Sequence, residues 1–178
     1  MNEKEMKAVF EENGCGDFRF MDSAEMVTGQ WVRMKCRFGC DEYGKGMMCP
    51  PNLPSVADCR EFLGEYSRAV IFHFSISLED PEARHEWSRS INRNLLKIER
   101  EVFLSGFYKA FMIFIDPCNL CGECVGPHGE CREIKGARPS GEGLGMDVFA
   151  TARNAGYEID VVKDYADAMN RFGFLLIE

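Results

Sequence analysis

Apolar residues recur at steps of three and four in several segments of the chain, which is the period of an amphipathic helix. This pattern predicts helices over residues 3 to 13, over residues 55 to 66 with Ser55 as the cap, and over residues 140 to 156. The longest pattern predicts a helix over residues 81 to 104. Its apolar stripe consists of Trp87, Ile91, Leu95, Ile98 and Val102.

Runs of β-branched and aromatic residues predict the strands. The two strongest runs cover residues 68 to 77 and 107 to 115, on either side of the long helix. A strand, helix and strand in this order predict two parallel strands joined by a right-handed crossover. Weaker strand patterns cover residues 18 to 21, 30 to 34, 158 to 162 and 173 to 177. We therefore predict an α/β fold, with α+β as the alternative, containing a mixed sheet of about 4 to 5 strands flanked by helices.

Nine cysteines stand in the chain, and seven of them fall in two short windows within the loops 36–51 and 116–138. The first residues are charged and do not resemble a signal peptide, so we expect a cytoplasmic protein. Clustered cysteines in that reducing compartment bind metals more often than they form disulfides. The sequence thus predicts a single domain, residues 1–178, that carries two cysteine-rich metal-binding loops.

The second window has the spacing of a ferredoxin motif, Cys-x2-Cys-x2-Cys, with one more cysteine after six residues. Its members are Cys118, Cys121, Cys124 and Cys131. This spacing predicts a [4Fe-4S] cluster held by the triplet and closed by Cys131, directly after the carboxyl end of a strand. Zinc is the alternative metal, although it more often binds two separate Cys-x2-Cys pairs. His128 is an alternative ligand, and the competing interpretation is an ordinary exposed loop residue.

The first window supplies three thiols, Cys36, Cys40 and Cys49, among glycines that permit tight turns. It predicts a second metal centre, for which unligated reduced thiols are the competing interpretation. The sequence does not assign a fourth ligand. Cys59, Cys15 or an open iron are the possibilities, and an open iron would favour an enzyme because it can act as a Lewis acid.

The order of these motifs resembles the DUF2284 family, predicted metal-binding proteins of anaerobic archaea and bacteria. The motifs that carry the resemblance are Cys36-x3-Cys40-x2-Tyr43-Gly44, Cys49-Pro50-Pro51, Cys118-x2-Cys121-x2-Cys124, Cys131-Arg132, Ala137-Arg138-Pro139-Ser140 and Gly145-Met146-Asp147-Val148. The resemblance implies metal binding, as iron-sulfur centres of an anaerobe, at the seven matching cysteines. Cys15 and Cys59 lie outside these motifs.

Charge and composition exclude other classes. Asp and Glu outnumber Lys and Arg by 29 to 21, which gives a net charge of -8 and argues against a surface that binds nucleic acid. The longest apolar runs fall short of the roughly 20 residues that a membrane span needs. The face of the long helix that carries Arg89, Arg93, Lys97 and Arg100 is predicted to be solvated, and docking of an acidic redox partner is the alternative.

These observations favour an iron-sulfur protein that transfers electrons to or from a redox partner protein. An enzyme with an open-site cluster is the first alternative, and Asp41, Glu42 and Tyr43 are its candidate acid-base groups. The second alternative is a module in which zinc stabilises loops for interaction with another protein. The sequence leaves the substrate and the oligomeric state open.

Overall fold

The computed structural model describes residues 1 to 127, 129 to 164 and 167 to 178. Five α-helices and four β-strands form within these residues. The helices are α1 (Glu3–Glu12), α2 (Gln30–Gly39), α3 (Val56–Gly64), α4 (Pro81–Leu104) and α5 (Val148–Asn154). The strands are β1 (Phe18–Asp22), β2 (Arg68–Ile76), β3 (Phe111–Ile113) and β4 (Met169–Leu176).

The four strands of the described chain form one open sheet in the order β1-β2-β4-β3, and every neighbouring pair is antiparallel. The central pair is β2 and β4, whose register runs from Ala69 opposite Leu176 to Ile76 opposite Met169. The fold is α+β. A sheet of four strands flanked by helices is therefore confirmed, in the α+β form that the sequence left as the alternative.

The strands on either side of α4, β2 and β3, run in the same direction as predicted, but the described strands pair only antiparallel, so the sheet is not mixed. Both strands pair antiparallel with β4, so they run in the same direction but β4 lies between them. The sequence of β4 is largely apolar and most of its residues are buried, which suits the centre of a sheet covered on both faces. The connection through α4 thus crosses over one intervening strand, which is the C-terminal strand β4.

Capping residues at the N-terminus determine where three of the predicted helices begin. Asn2 and Ser55 each form a capping box, at the start of α1 and α3 respectively. Asp80 accepts hydrogen bonds from the first-turn amides of α4, and Pro81 is the first residue of that helix. These three predictions are confirmed.

Two predicted strands are absent from the described residues. Residues 30 to 34 lie in α2, because Trp31, Met34 and Phe38 are spaced for one face of a helix and do not alternate as in a strand. Residues 158 to 162 form no strand, although Ile159 is buried in the core. Hydrophobic content alone led to both wrong predictions.

Two other elements are shorter than predicted. The strand over residues 107 to 115 is reduced to β3, Phe111–Ile113. The helix over residues 140 to 156 is divided, since a 3-10 turn covers Glu142–Leu144 and α5 begins only at Val148. Gly145 separates the two with a φ of 79°, a left-handed conformation that ends a helical turn.

The sheet has a helical layer on each face. One core contains Val70 and Phe72 of β2 with buried residues of α1 and α4. The other contains Ala69 and Ile71 with buried residues of α3 and α5. Because successive strand residues point to opposite faces, β2 contributes to both cores. The segments that follow α2 and β3 carry the two cysteine windows, and Leu120 of the second window packs into the core under α4.

A polar network at the edge of the sheet gives the fold a defined pH dependence. Asp17 Oδ2 lies 2.6 Å from His73 Nδ1, and the Tyr157 hydroxyl donates to Asp17 Oδ1 at 2.9 Å. Burial raises the pKa of Asp17, but the hydrogen bonds from His73 and Tyr157 outweigh it and hold the pKa below its ordinary value. A depressed carboxyl pKa stabilises the fold above the unfolded-state pKa, and this stabilisation is lost as the pH falls through the folded-state pKa.

We therefore expect Asp17→Asn to lower the free energy of unfolding at pH 7, and the difference from the natural chain to shrink below about pH 4. Denaturant unfolding of both proteins at each pH measures this difference, and the comparison cancels any common effect of acid on metal binding. A difference that stays constant down to pH 3 would contradict the proposed role of the carboxylate.

Candidate metal centre

The end of α2 and the loop after it position the first three thiols. Cys36 lies in the last two turns of α2, and Cys40 directly follows the helix. The chain then turns at Gly44, whose φ of 80° is left-handed, and the Gly44 N–H donates to the Pro50 carbonyl at 2.8 Å. This hydrogen bond closes the loop and returns Cys49 towards the end of the helix.

The three thiols of this window line one cavity, with a volume of about 260 Å³. The rest of its wall comes from segments distant in sequence. They are Asp116 and Pro117 after β3, Ser140, Glu142 and Gly143 around the 3-10 turn, Arg171 of β4, and Glu42, Tyr43 and Pro50 of the loop itself. The structure thus brings Cys36, Cys40 and Cys49 together, beside Asp116 in the segment that follows β3.

Two of the three thiols of the cavity, Cys36 and Cys49, have a pKa above the ordinary value. Burial, with repulsion from Cys40, raises the pKa of the Cys49 thiol to about 11. Burial and Cys40 also raise the pKa of Cys36, although Arg33 opposes the rise. Metal ligation requires thiolates, so a bound cation would release these protons together.

A charged wall faces the thiols. Arg171 Nε donates to Asp116 Oδ1 at 3.0 Å. Burial raises the pKa of Asp116, and Arg171 opposes that rise. Solvent reaches part of Glu142, yet the surrounding walls desolvate its carboxyl and raise its pKa, and Asp116 adds to the rise. Two carboxyl groups and one guanidinium give this wall a negative balance, which suits a cation.

The second window is held by α4. Arg89 Nε donates to the Asn119 carbonyl at 2.9 Å, and Arg93 Nη2 donates to the Leu120 carbonyl at 3.2 Å. Asn92 Nδ2 also donates to Asn119 Oδ1, at 3.1 Å. The predicted solvated face is confirmed for Arg93, Lys97 and Arg100, which are exposed, whereas Arg89 is partly buried. The helix pattern alone does not show that Arg89 and Arg93 also donate to loop carbonyl oxygens.

The sulfur of Cys118 is partly desolvated and lies beside two backbone N–H groups. Burial raises the pKa of this thiol, whereas the backbone N–H groups of Leu120 and Arg138 hydrogen-bond the sulfur and lower it. Cys121 and Cys131 are close enough to act on the same thiol electrostatically. N–H groups directed at ligand sulfurs stabilise thiolate and tune the bound metal.

The two cysteine loops touch each other. A methyl group placed on Gly126 would lie 3.1 Å from the Lys45 carbonyl oxygen, so the two backbones are in contact. The Cys124 thiol is close enough to Cys49 to contribute to the raised pKa of that thiol. Cys40 and Cys124 are exposed. The seven clustered cysteines thus lie in neighbouring loops at one end of the molecule.

The other two cysteines are separate from these loops. Cys15 is 1% exposed in the core under α1 and α4, and burial raises the pKa of its thiol to about 11. Cys59 is 2% exposed on α3, and its Sγ lies 3.7 Å from the Pro54 carbonyl oxygen. Neither thiol lines the cavity.

The cysteine thiols are suitable ligands for a metal, although they do not converge on a common position in this structure. Over residues 1–127, 129–164 and 167–178, no three His, Cys, Asp or Glu side chains converge closely enough to hold a metal ion. All nine cysteines are free of disulfides, and three of them line one cavity. His128, the alternative ligand, lies outside the described residues. Soft thiolates of this number and grouping are the ligands of iron-sulfur clusters and zinc.

Comparison with models of protein families shows which family the chain belongs to. The model of DUF2284, a predicted metal-binding protein family, matches residues 19–177. The chain belongs to the DUF2284 family. The match includes both cysteine windows, so the resemblance seen in the sequence is confirmed. No curated protein and no solved structure matches this DUF2284 protein. Within its described part, no helix is both long and apolar enough to cross a membrane.

Sequence reasoning missed several residues of the site in this DUF2284 protein. Glu142 and Arg171 line the cavity, and Arg33 joins α2 to the 3-10 turn by donating to the Gly143 carbonyl at 3.1 Å. The sequence did contain a signal for two of these residues. Arg171 interrupts an apolar strand and Glu142 lies between two glycines, and charged residues are unexpected at both positions. Of the candidate acid-base groups, Glu42 and Tyr43 line the cavity and Asp41 does not.

Proposed function

We propose that this DUF2284 protein binds two iron-sulfur clusters of the [4Fe-4S] type and transfers electrons to a partner protein. The observation that carries the proposal is the proximity of two cysteine loops, one of which has the ferredoxin spacing. Two clusters held in touching loops would exchange electrons with each other. Exposed cysteines at Cys40 and Cys124 would leave a path for electrons to the surface.

Two features favour iron-sulfur clusters over zinc. Zinc sites of the structural type combine two separate pairs of ligands, whereas the second window is a tight triplet followed by a single cysteine. The backbone N–H groups at the Cys118 sulfur also match a cluster, whose sulfurs accept such hydrogen bonds. Zinc remains the alternative metal, in a module that uses the loops for interaction only.

The exposed face of α2 supports docking of a partner protein. Trp31, Met34 and Phe38 share this face with relative exposures of 50%, 47% and 78%. Lys35 Nζ lies 5.3 Å from the Trp31 ring, and Arg37 lies 5.4 Å from the Phe38 ring. An apolar face with two cations beside the first cysteine window suits a redox protein whose surface is apolar at the centre and acidic around it.

An enzyme is the second candidate function, and the cavity is the observation that favours it. The thiols of the first window share that cavity with Tyr43, Glu142 and the Asp116–Arg171 ion pair, so polar groups face the place where a metal would be held. A substrate bound there would meet acid-base groups. This alternative requires an iron with an open coordination position.

Metal analysis of protein purified without oxygen tests the proposal. We expect about eight irons and about eight acid-labile sulfides per chain, with a brown visible spectrum that bleaches on addition of dithionite and returns on reoxidation. The expectation follows from two cubane clusters. One or two zinc ions without sulfide would overturn the proposal and leave the zinc-stabilised interaction module.

A further inference from the structure

The first metal centre lacks an evident fourth ligand. Cys36, Cys40 and Cys49 line the cavity, and the sequence offered Cys15 and Cys59 as the cysteines that complete the set. The structure places both of these thiols in the two cores, 1% and 2% exposed. Neither can reach the cavity without disrupting the packing of a helix on the sheet. The protein groups left to supply a fourth ligand are those of the cavity wall and of the second loop.

Three carboxyl groups line the cavity, and two of them are already paired. Glu42 is exposed and lies 3.4 Å from Lys45 Nζ. Asp116 accepts from Arg171 at 3.0 Å. Among the described residues, Glu142 forms no ion pair within 4.0 Å. Ser140 and Arg171 are close enough to favour its ionised form, and its charge acts on the Cys36 thiol, so it is the unpaired carboxyl group of the cavity nearest to a proposed ligand.

The backbone holds Glu142 beside the thiols. Its carbonyl oxygen lies 4.0 Å from Cys36 Sγ. The residues on either side are fixed, since Arg33 donates to the Gly143 carbonyl at 3.1 Å and the Gly143 N–H donates to Ser140 Oγ at 3.2 Å. Arg33 and Cys36 are one turn apart on α2, so the helix positions a thiol and the turn that carries Glu142 together.

We propose that the Glu142 carboxylate is the fourth, non-cysteine ligand of the centre held by Cys36, Cys40 and Cys49. The inference rests on the proposed function, because it assigns a ligand to one of the two clusters. A carboxylate is a harder ligand than a thiolate and binds iron of a cluster less tightly. The iron that it holds is therefore the one that this centre loses first on oxidation.

Two substitutions at this position test the assignment in opposite directions. Glu142→Gln removes the anionic ligand, and we expect loss of one iron per chain on mild ferricyanide oxidation at a dose that leaves the natural protein intact. The three-iron product has its own electron paramagnetic resonance signal. Glu142→Cys supplies a thiolate, and we expect it to retain all irons at a higher dose and to lower the reduction potential of this centre, because a stronger donor favours the oxidised cluster.

Glu42→Gln is the matched control, since Glu42 lines the same cavity but is paired with Lys45. It should behave as the natural protein in iron content, potential and signal. Circular dichroism establishes that each variant is folded. The inference is overturned if both Glu142 variants keep the iron content and potential of the natural protein, or if Cys124→Ser alone produces the three-iron signal of the first centre. A natural protein without iron would instead refute the proposed function.

Discussion

Replacing Cys121 by serine is expected to remove one metal centre and leave the other in place. With two cubane clusters, the iron content would fall from about eight to about four per chain. Cys121 lies in the triplet that α4 holds through Arg89 and Arg93, close to Cys118 and Cys131. The thiols of the first window are carried by the end of α2 and the loop after it, so their cluster should not depend on Cys121.

Cys15→Ser is the control for this experiment. It also removes one thiol, but that thiol is buried in the core and lies in neither window, so we expect the full iron content. Iron and sulfide analysis without oxygen, together with visible absorbance, measures both variants. Unchanged iron in Cys121→Ser, or loss of iron in Cys15→Ser, would contradict the assignment of the ligands. Cys36→Ser should give the reciprocal loss, from the first centre.

The elements that the sequence predicts well are those whose signals are local. The stripe of α4 and its Asp80 and Pro81 start define that helix without tertiary information. Likewise, β2 is a largely apolar run, interrupted by His73 and Ser75. Both are confirmed because periodicity and capping act within a few residues. The cysteine windows belong to the same category, since the ligand spacing is itself local.

The order of the strands could not be predicted from such signals. β4 lies beside β2 over a register of eight residue pairs, whereas β3 pairs with β4 over three, and no local signal in the sequence specifies this long-range pairing. The prediction of a strand over residues 30 to 34, where α2 lies, was wrong for a related reason. Its Trp31, Met34 and Phe38 remain exposed, so a run of apolar residues there does not indicate a buried strand.

The residues that line the cavity of the first cysteine window could not be predicted as a group from the sequence either. Glu142, Arg171 and Asp116 come from three separate segments, and only the antiparallel position of β4 between β2 and β3 brings Arg171 beside Asp116. The second cysteine loop begins after β3, at the same end of the sheet as Asp116. There α4 contributes Leu95 to the core and Arg93 to the second loop, so one helix couples the packing of the fold to the geometry of the thiols.

Glu99→Ala should destabilise the protein by roughly 3 kcal/mol, because it breaks a buried ion pair and leaves its partner uncompensated. Glu99 Oε1 accepts from Arg138 Nη2 at 2.9 Å and from Arg138 Nε at 3.1 Å. The Met112 N–H of β3 donates to the same oxygen at 3.3 Å and would also lose its acceptor. Denaturant unfolding without oxygen measures the loss as a shift of the midpoint.

The same variant reports on the second centre, because the backbone N–H of Arg138 hydrogen-bonds the Cys118 sulfur. Once its guanidinium loses Glu99, Arg138 is less firmly held, and we expect faster release of iron to a chelator from this centre alone. Glu86→Ala, an exposed carboxylate on the same helix, should change stability by less than about 0.5 kcal/mol and leave iron release unaffected. If Glu99→Ala and Glu86→Ala have the same unfolding midpoint and the same rate of iron release, the ion pair does not connect α4 to the metal-binding loop.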